Sequence, residues 1–164
     1  MHAQIVPPMD RTLAALSTIL TKAEAHCEAK NIKPEALLNF RLYPDMFPFT
    51  RQVQLACDFA ARAAARLAGT EPKGFPDTET SFAELVARIA AARDYMASFA
   101  ISSYDGAATR PVTIKMRGQD MTMSGLDYLT LYSLPQFYFH AATTYNILRH
   151  NGVEIGKRDF MGAA

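Results

Sequence analysis

The segment Ser133–Val153, SLPQFYFHAATTYNILRHNGV, sets one histidine, His140, among aromatic residues. An imidazole placed there has three chemical uses: metal ligand, general base, or core group with its ring nitrogens satisfied. On a helix His140 shares a face with Gln136, Phe137, Thr143 and Thr144. A metal-binding helix commonly offers two ligands at i and i+4. Here the i+4 position is Thr144 and the i−4 position is Gln136, and neither is a usual ligand for a divalent transition metal. The missing spacing favours a core histidine bonded to Gln136, a tyrosine or a backbone carbonyl. Its place between Phe139 and Ala141 predicts burial, at a polar pocket near the second helix. No metal is expected at it, because catalytic zinc takes about three protein ligands.

Asp58 is the second chemical candidate, in the apolar stretch QLACDFAARA. Gln54 stands one turn before it and Arg62 one turn after. Two readings are open. Asp58 and Arg62 form an exposed i, i+4 ion pair, worth only a few tenths of a kcal/mol. Alternatively, Gln54 and Asp58 face His140 across the helices, and Asp58 fixes the imidazole tautomer. Spacing favours the surface pair slightly. The ligand-binding candidates are therefore Gln54, Asp58, Gln136 and His140, and the catalytic candidates are His140 and Asp58.

Helices must position these groups. Leu13, Leu16, Ile19 or Leu20, Ala23 and Cys27 recur every three or four residues, the mark of one buried stripe. That first helix is expected to start near Pro8–Asp10 with Asp10 as N-cap, and to end at Asn31 and Pro34. KPEALLNF reads as a short helical turn. Asp45 is placed to cap a second helix whose first turn tolerates Pro48, and Gly69 stops it. This helix is rich in alanine, which favours helix and lets a neighbour approach closely. Ser81 with Glu84 forms a capping-box pattern ahead of a third helix with its stripe at Phe82, Leu85, Val86, Ile89, Met96 and Phe99. The period then changes to two. Val112, Ile114 and Met116, then Met121 and Met123, predict a β-hairpin turning at Gly118. A fourth helix is expected from about Leu126 to His150, bent at Pro135 and stopped by Asn151-Gly152. The tail beyond it should pack Ile155 and Phe160 on the helices.

Composition bounds the function. At 164 residues the chain has the size of one domain, and 49% hydrophobic residues give it a core. A formal net charge of +1 argues against a nucleic-acid partner, and Arg51, Arg62, Arg66, Arg88 and Arg93 read as a solvated helix face. Cys27 and Cys57 lie in apolar helical patterns with no metal spacing. The N-terminus lacks a signal-peptide pattern and no apolar run suits a membrane span, so a cytoplasmic protein without a membrane partner is expected. No GxSxG, HExxH, GxGxxG or phosphate loop occurs, and no cofactor is expected.

The segments LYPDMFPFTRQVQLACDFAARAAARLAG, SFAEL and LPQFYFHAATTYNILRHNGVEIGKRDF, with the hairpin between them, resemble a bacterial domain-of-unknown-function branch of the DinB/YfiT-like superfamily. The resemblance runs from about Met9 to Gly162. It implies an all-α, DinB-like four-helix bundle with a long crossover connection and a small β-hairpin between the third and fourth long helices. One such domain is expected over residues 1–164, and the resemblance implies frequent pairing into homodimers. Characterised superfamily members are metal-dependent, among them thiol-cofactor transferases and an isomerase, with one histidine on the second helix and an HxxxH pair on the fourth. Here only His140 matches, since its mate is Thr144 and the second helix has no histidine.

Two functional readings follow. One is a dimeric, metal-depleted relative that binds a small molecule, or nothing, between its helices. The other is an enzyme with a reduced site using His140 with Asp58 and Gln54. A homodimer is expected through the aromatic fourth helix or the alanine-rich second, because both carry apolar or small residues beyond one stripe.

Overall fold

The first helix, α1, spans His2–Lys30. It begins well before the expected Pro8–Asp10 start. Pro7 and Pro8 lie inside it and each withholds one helical hydrogen bond. Packing offsets that loss. Ile5 and Met9 are fully buried and extend the stripe of Leu13, Leu16 and Leu20 by more than a turn. Asp10 is therefore not an N-cap. Its carboxylate takes two bonds from Arg93, at 2.6 and 3.2 Å, tying α1 to a later helix. Asn31 ends α1 in the left-handed conformation, as the sequence predicts.

The computed structural model of the protein describes residues 1–162. After α2 (Pro34–Leu38) comes α3 (Phe49–Leu67), which holds most of the chemistry. Asp45 does not cap it; Pro48 occupies the N-cap position. The first turn is held from outside: Phe49 donates its amide to the Phe40 carbonyl, and the Thr50 hydroxyl donates to that of Leu38. α4 (Phe82–Ala97) starts at Ser81, whose hydroxyl accepts from the Glu84 amide. The reciprocal half of the box slips by one residue, because the Glu84 carboxylate accepts from the Thr80 amide at 2.6 Å. That bond and the Thr80 hydroxyl hold the Glu84 carboxyl below its ordinary pKa.

The hairpin pairs β1 (Pro111–Met116) with β2 (Gln119–Ser124), antiparallel, with Met116 opposite Gln119. Arg117 and Gly118 both have positive φ, as a two-residue hairpin turn needs. Val112 and Ile114 point into the core. The helix expected from about Leu126 to His150 is continuous, but its hydrogen-bond pattern changes along the way. A short turn, α5 (Gly125–Asp127), leads into a π-helical segment, Tyr128–Ser133, and then α6 (Leu134–His150). Pro135 directly follows the π-helical segment, and Ser133 and Leu134 before it keep helical dihedrals. The wider π turn just before it takes up the change of register. α7 (Lys157–Met161) folds back on α1, where Lys22 bonds Asp159 at 2.5 Å.

The architecture is mostly helical with one small two-stranded sheet. α3 packs on both α6 and α4, and α1 packs on α4, α3 and α6. One apolar core joins them, with Phe49, Phe82, Tyr128 and Phe137 among its largest buried side chains. No helix among the described residues is long and apolar enough to cross a membrane.

Candidate functional site

Two polar clusters are buried against α3, on different stripes of the helix. Gln52, Ala56 and Phe59 recur at helical spacing and face α6. Gln54 and Asp58 lie one turn apart on another stripe, since two residues turn a helix by about 200°. The structure therefore separates His140 from both Asp58 and Gln54.

His140 is 6% exposed. Its Nδ1 lies 2.7 Å from Gln52 Oε1. The Gln52 amide nitrogen donates to the Phe47 carbonyl at 3.2 Å, which turns the amide oxygen toward the imidazole. Nδ1 must then carry the proton and donate it, which leaves Nε2 with a bare lone pair. The ring stacks on Phe59, with centroids 5.6 Å apart and planes 10° from parallel, and meets Phe139 edge-on. Burial pushes its pKa down to about 4, helped by the Arg51 charge, so the ring is neutral at pH 7. The partner is neither Gln136, a tyrosine nor a backbone carbonyl, as the sequence led us to expect. Gln136 is only half-buried. Thr144, one turn after His140, spends its hydroxyl on the His140 carbonyl at 2.9 Å.

The buried side-chain atoms without a partner among the described residues are Arg88 Nε, Tyr104 Oη and Ser133 Oγ. His140 Nε2 is not one of them, although no hydrogen bond reaches it. Phe139, beside it, is 54% exposed, and Phe47, whose carbonyl anchors Gln52, is 53% exposed.

The second cluster centres on Arg88 of α4, which is 4% exposed and not part of a solvated face. Its guanidinium bonds Asp58 at 2.7 Å, Glu79 at 2.9 Å, Asp77 at 3.0 Å and the Pro76 carbonyl at 2.8 Å. Asp58 gives its other oxygen to Arg62 at 2.8 Å. The expected i, i+4 pair with Arg62 is thus present, but Asp58 is buried and shared with Arg88 rather than exposed, and it makes no hydrogen bond to the imidazole. Gln54 donates to Glu79 at 2.8 Å and accepts from Arg51, which also pairs with Asp77. Burial of the Arg88 guanidinium works against its charge, but the Glu79 bond and the Asp58 charge outweigh it and raise its pKa. Cys57 lies beside it, with burial pushing its thiol up to about 12, too high for a nucleophile. The cluster reads as a structural clasp that straps residues 76–79 onto α3 and α4.

Sequence reasoning missed Gln52 and Arg88. Both carried a signal. Gln52 sits three and seven residues before Leu55 and Phe59 on an apolar stripe, and Arg88 falls between Leu85 and Ala92 on the buried stripe of its helix. A polar group on such a stripe must find a buried partner.

The donor set does not fit the metal site that the superfamily resemblance implies. The centre offers one imidazole nitrogen, a carboxamide already used at both ends and a hydroxyl turned to its own helix. Among the described residues, no group of three or more His, Cys, Asp or Glu side chains is placed to share a metal ion. His2 and His150 pack instead on Tyr104 and Phe40.

The family described as "Domain of unknown function (DUF1993)" matches residues 1–161. The chain belongs to the DUF1993 family. Its fold is that of the DinB family: the crystal structure of a DinB family member protein from Shewanella denitrificans superposes with a TM-score of 0.93 at 39% sequence identity, covering 99% of this chain and 92% of that one. No curated protein matches the chain. The DUF1993 match extends across α1, α3, α4 and α6, so both the His140–Gln52 pair and the Arg88 clasp lie within it.

Proposed function

We propose that this DUF1993 chain is a metal-independent, small-molecule-binding member of the DinB family that works as a cytoplasmic homodimer. Its long helices α1, α3, α4 and α6 are taken as a four-helix bundle, with the connection that carries the hairpin as the long crossover. What supports that architecture is the packing of α3 on α6 and α4 and of α1 on α4. The observation that carries the functional reading is the 2.7 Å contact between His140 Nδ1 and Gln52 Oε1. It replaces a second metal ligand with a neutral partner and leaves one lone pair on Nε2. Asp58 lends no support to a reduced acid–base site, because Arg88 and Arg62 take both its oxygens.

The dimer reading draws on the surface of α6 and the π segment. Leu131 is 74% exposed, Phe139 54% and Tyr138 38%. The alanines of α3 are buried within the chain, so that helix no longer competes as the interface. Both cysteines are free and buried, which suits a reducing compartment. Elemental analysis of untagged protein, run with light scattering, tests the reading. We expect far less than one equivalent of zinc, nickel, iron or manganese, and twice the 18.1 kDa chain mass. Near-equimolar metal that is lost in His140→Ala would overturn it.

A further inference from the structure

We infer that the cleft between the end of α3 and the start of β1 binds a phosphoryl group, with Arg66 and Arg110 as the cations that hold it. The site is separate from His140, and its test does not depend on the reading given above.

The arginines that are not exposed are Arg51, Arg62, Arg66, Arg88, Arg93 and Arg110. Arg51, Arg62, Arg88 and Arg93 each pair with a carboxylate. Among the described residues Arg66 and Arg110 pair with none, and these two line one cleft of about 350 Å³. Neutral groups hold both guanidiniums in place. Arg66 donates Nη1 to the Tyr128 hydroxyl at 3.2 Å and lies over that fully buried ring. Arg110 donates to the carbonyls of Leu67, Ser103 and Asp105. Gly69, with φ +81°, lets Arg110 lie close to the backbone, because a Cβ there would meet its Cζ at 3.3 Å. These bonds fix the two side chains, so little freedom is lost when an anion arrives. They do not neutralise the charges, and a half-buried charge calls for a counter-ion. The end of α3 supplies about half a negative charge, against two full positive ones. Glu71 lines the same cleft, but it is exposed and pairs with neither arginine, so water and salt screen it. Arg66 Nε and Nη2 and Arg110 Nε make no hydrogen bond among the described residues. Donors from two planar forks suit the several oxygens and double charge of a phosphoryl group better than a lone carboxylate.

Proton–nitrogen NMR of the arginine Nε–H groups tests the site on the wild-type chain at constant ionic strength, with inorganic phosphate, methyl phosphate and acetate as probes. We expect phosphate to move the Arg66 and Arg110 resonances along a saturating curve, with an affinity on the order of millimolar, while exposed Arg149 and Arg158 stay still. Acetate should bind about tenfold more weakly. Methyl phosphate as tight as phosphate or tighter marks an ester as the ligand, and weaker binding marks the free ion; both outcomes keep the phosphoryl class. Arg66→Gln should weaken phosphate about tenfold. Glu71→Gln should strengthen it about threefold, the worth of one screened surface charge. Unsaturated shifts that Arg149 and Arg158 share overturn the site, as does undiminished phosphate binding in folded Arg66→Gln. Equal affinity for acetate and phosphate overturns the phosphoryl class. If Arg66→Gln fails to fold, the wild-type titration with its two exposed arginines as controls decides.

Discussion

His140 and Arg88 solve the same problem, a buried polar side chain, in opposite ways. His140 gives up its charge. Arg88 keeps its charge and gathers carboxylates around it. For His140 the folded state holds the imidazole pKa near 4, below its unfolded value of 6.5. The unfolded chain therefore binds the extra proton first as pH falls. The stability that His140 contributes is present in full above about pH 6.5 and is lost as pH drops toward 4, a loss of up to about 3 kcal/mol. His140→Gln should show a shallower fall in stability over that window in urea titrations. Equal slopes for variant and wild type would contradict the neutral, buried ring. Arg88→Met leaves Asp58 and Glu79 buried without their cation and should cost about 3–5 kcal/mol. Glu79→Gln added to it should recover part of the loss, and a double mutant no more stable than the single would place the clasp's strength elsewhere.

Elements were legible from the sequence where their signals are local. The left-handed stop at Asn31, the Ser81 cap, the alternation through Val112 and Ile114 and the Gly118 turn all depend on neighbouring residues, and each is where the pattern puts it. The misses depend on tertiary packing. Pro7 and Pro8 argue for a later start to α1, and only the burial of Ile5 and Met9 explains why the helix runs through them. The π segment before α6 leaves no mark in a 3.6-residue period. Site partners were harder still, because which stripe of α3 meets α6 is fixed by packing, and a two-residue difference separates Gln52 from Gln54. Gly125 shows how tightly the junction between hairpin and helix is set. A Cβ there would lie 1.9 Å from the Ala107 carbonyl oxygen, so the backbone would have to move. Gly125→Ala should lower stability by roughly 1–3 kcal/mol, the cost of overpacking. A thermal melt indistinguishable from wild type would show that the junction yields.

At the scale of the molecule, one chain buries the small-residue faces of α3 but leaves Leu131, Tyr138 and Phe139 at the surface. Soluble proteins rarely leave such a patch uncovered, and a twofold partner is the commonest cover. For the proposed homodimer, Leu131→Glu combined with Tyr138→Glu should halve the mass seen by light scattering while leaving the helical circular dichroism intact. A mass that stays at the dimer value would move the interface off α6. The measurement that bears most directly on the whole account is the long-range proton–nitrogen spectrum of His140 in untagged protein, recorded with and without equimolar zinc at pH 7. The account predicts one protonated Nδ1 and one bare Nε2, unchanged by zinc. A bare Nδ1, a doubly protonated ring, or a zinc-dependent shift of Nε2 would contradict it.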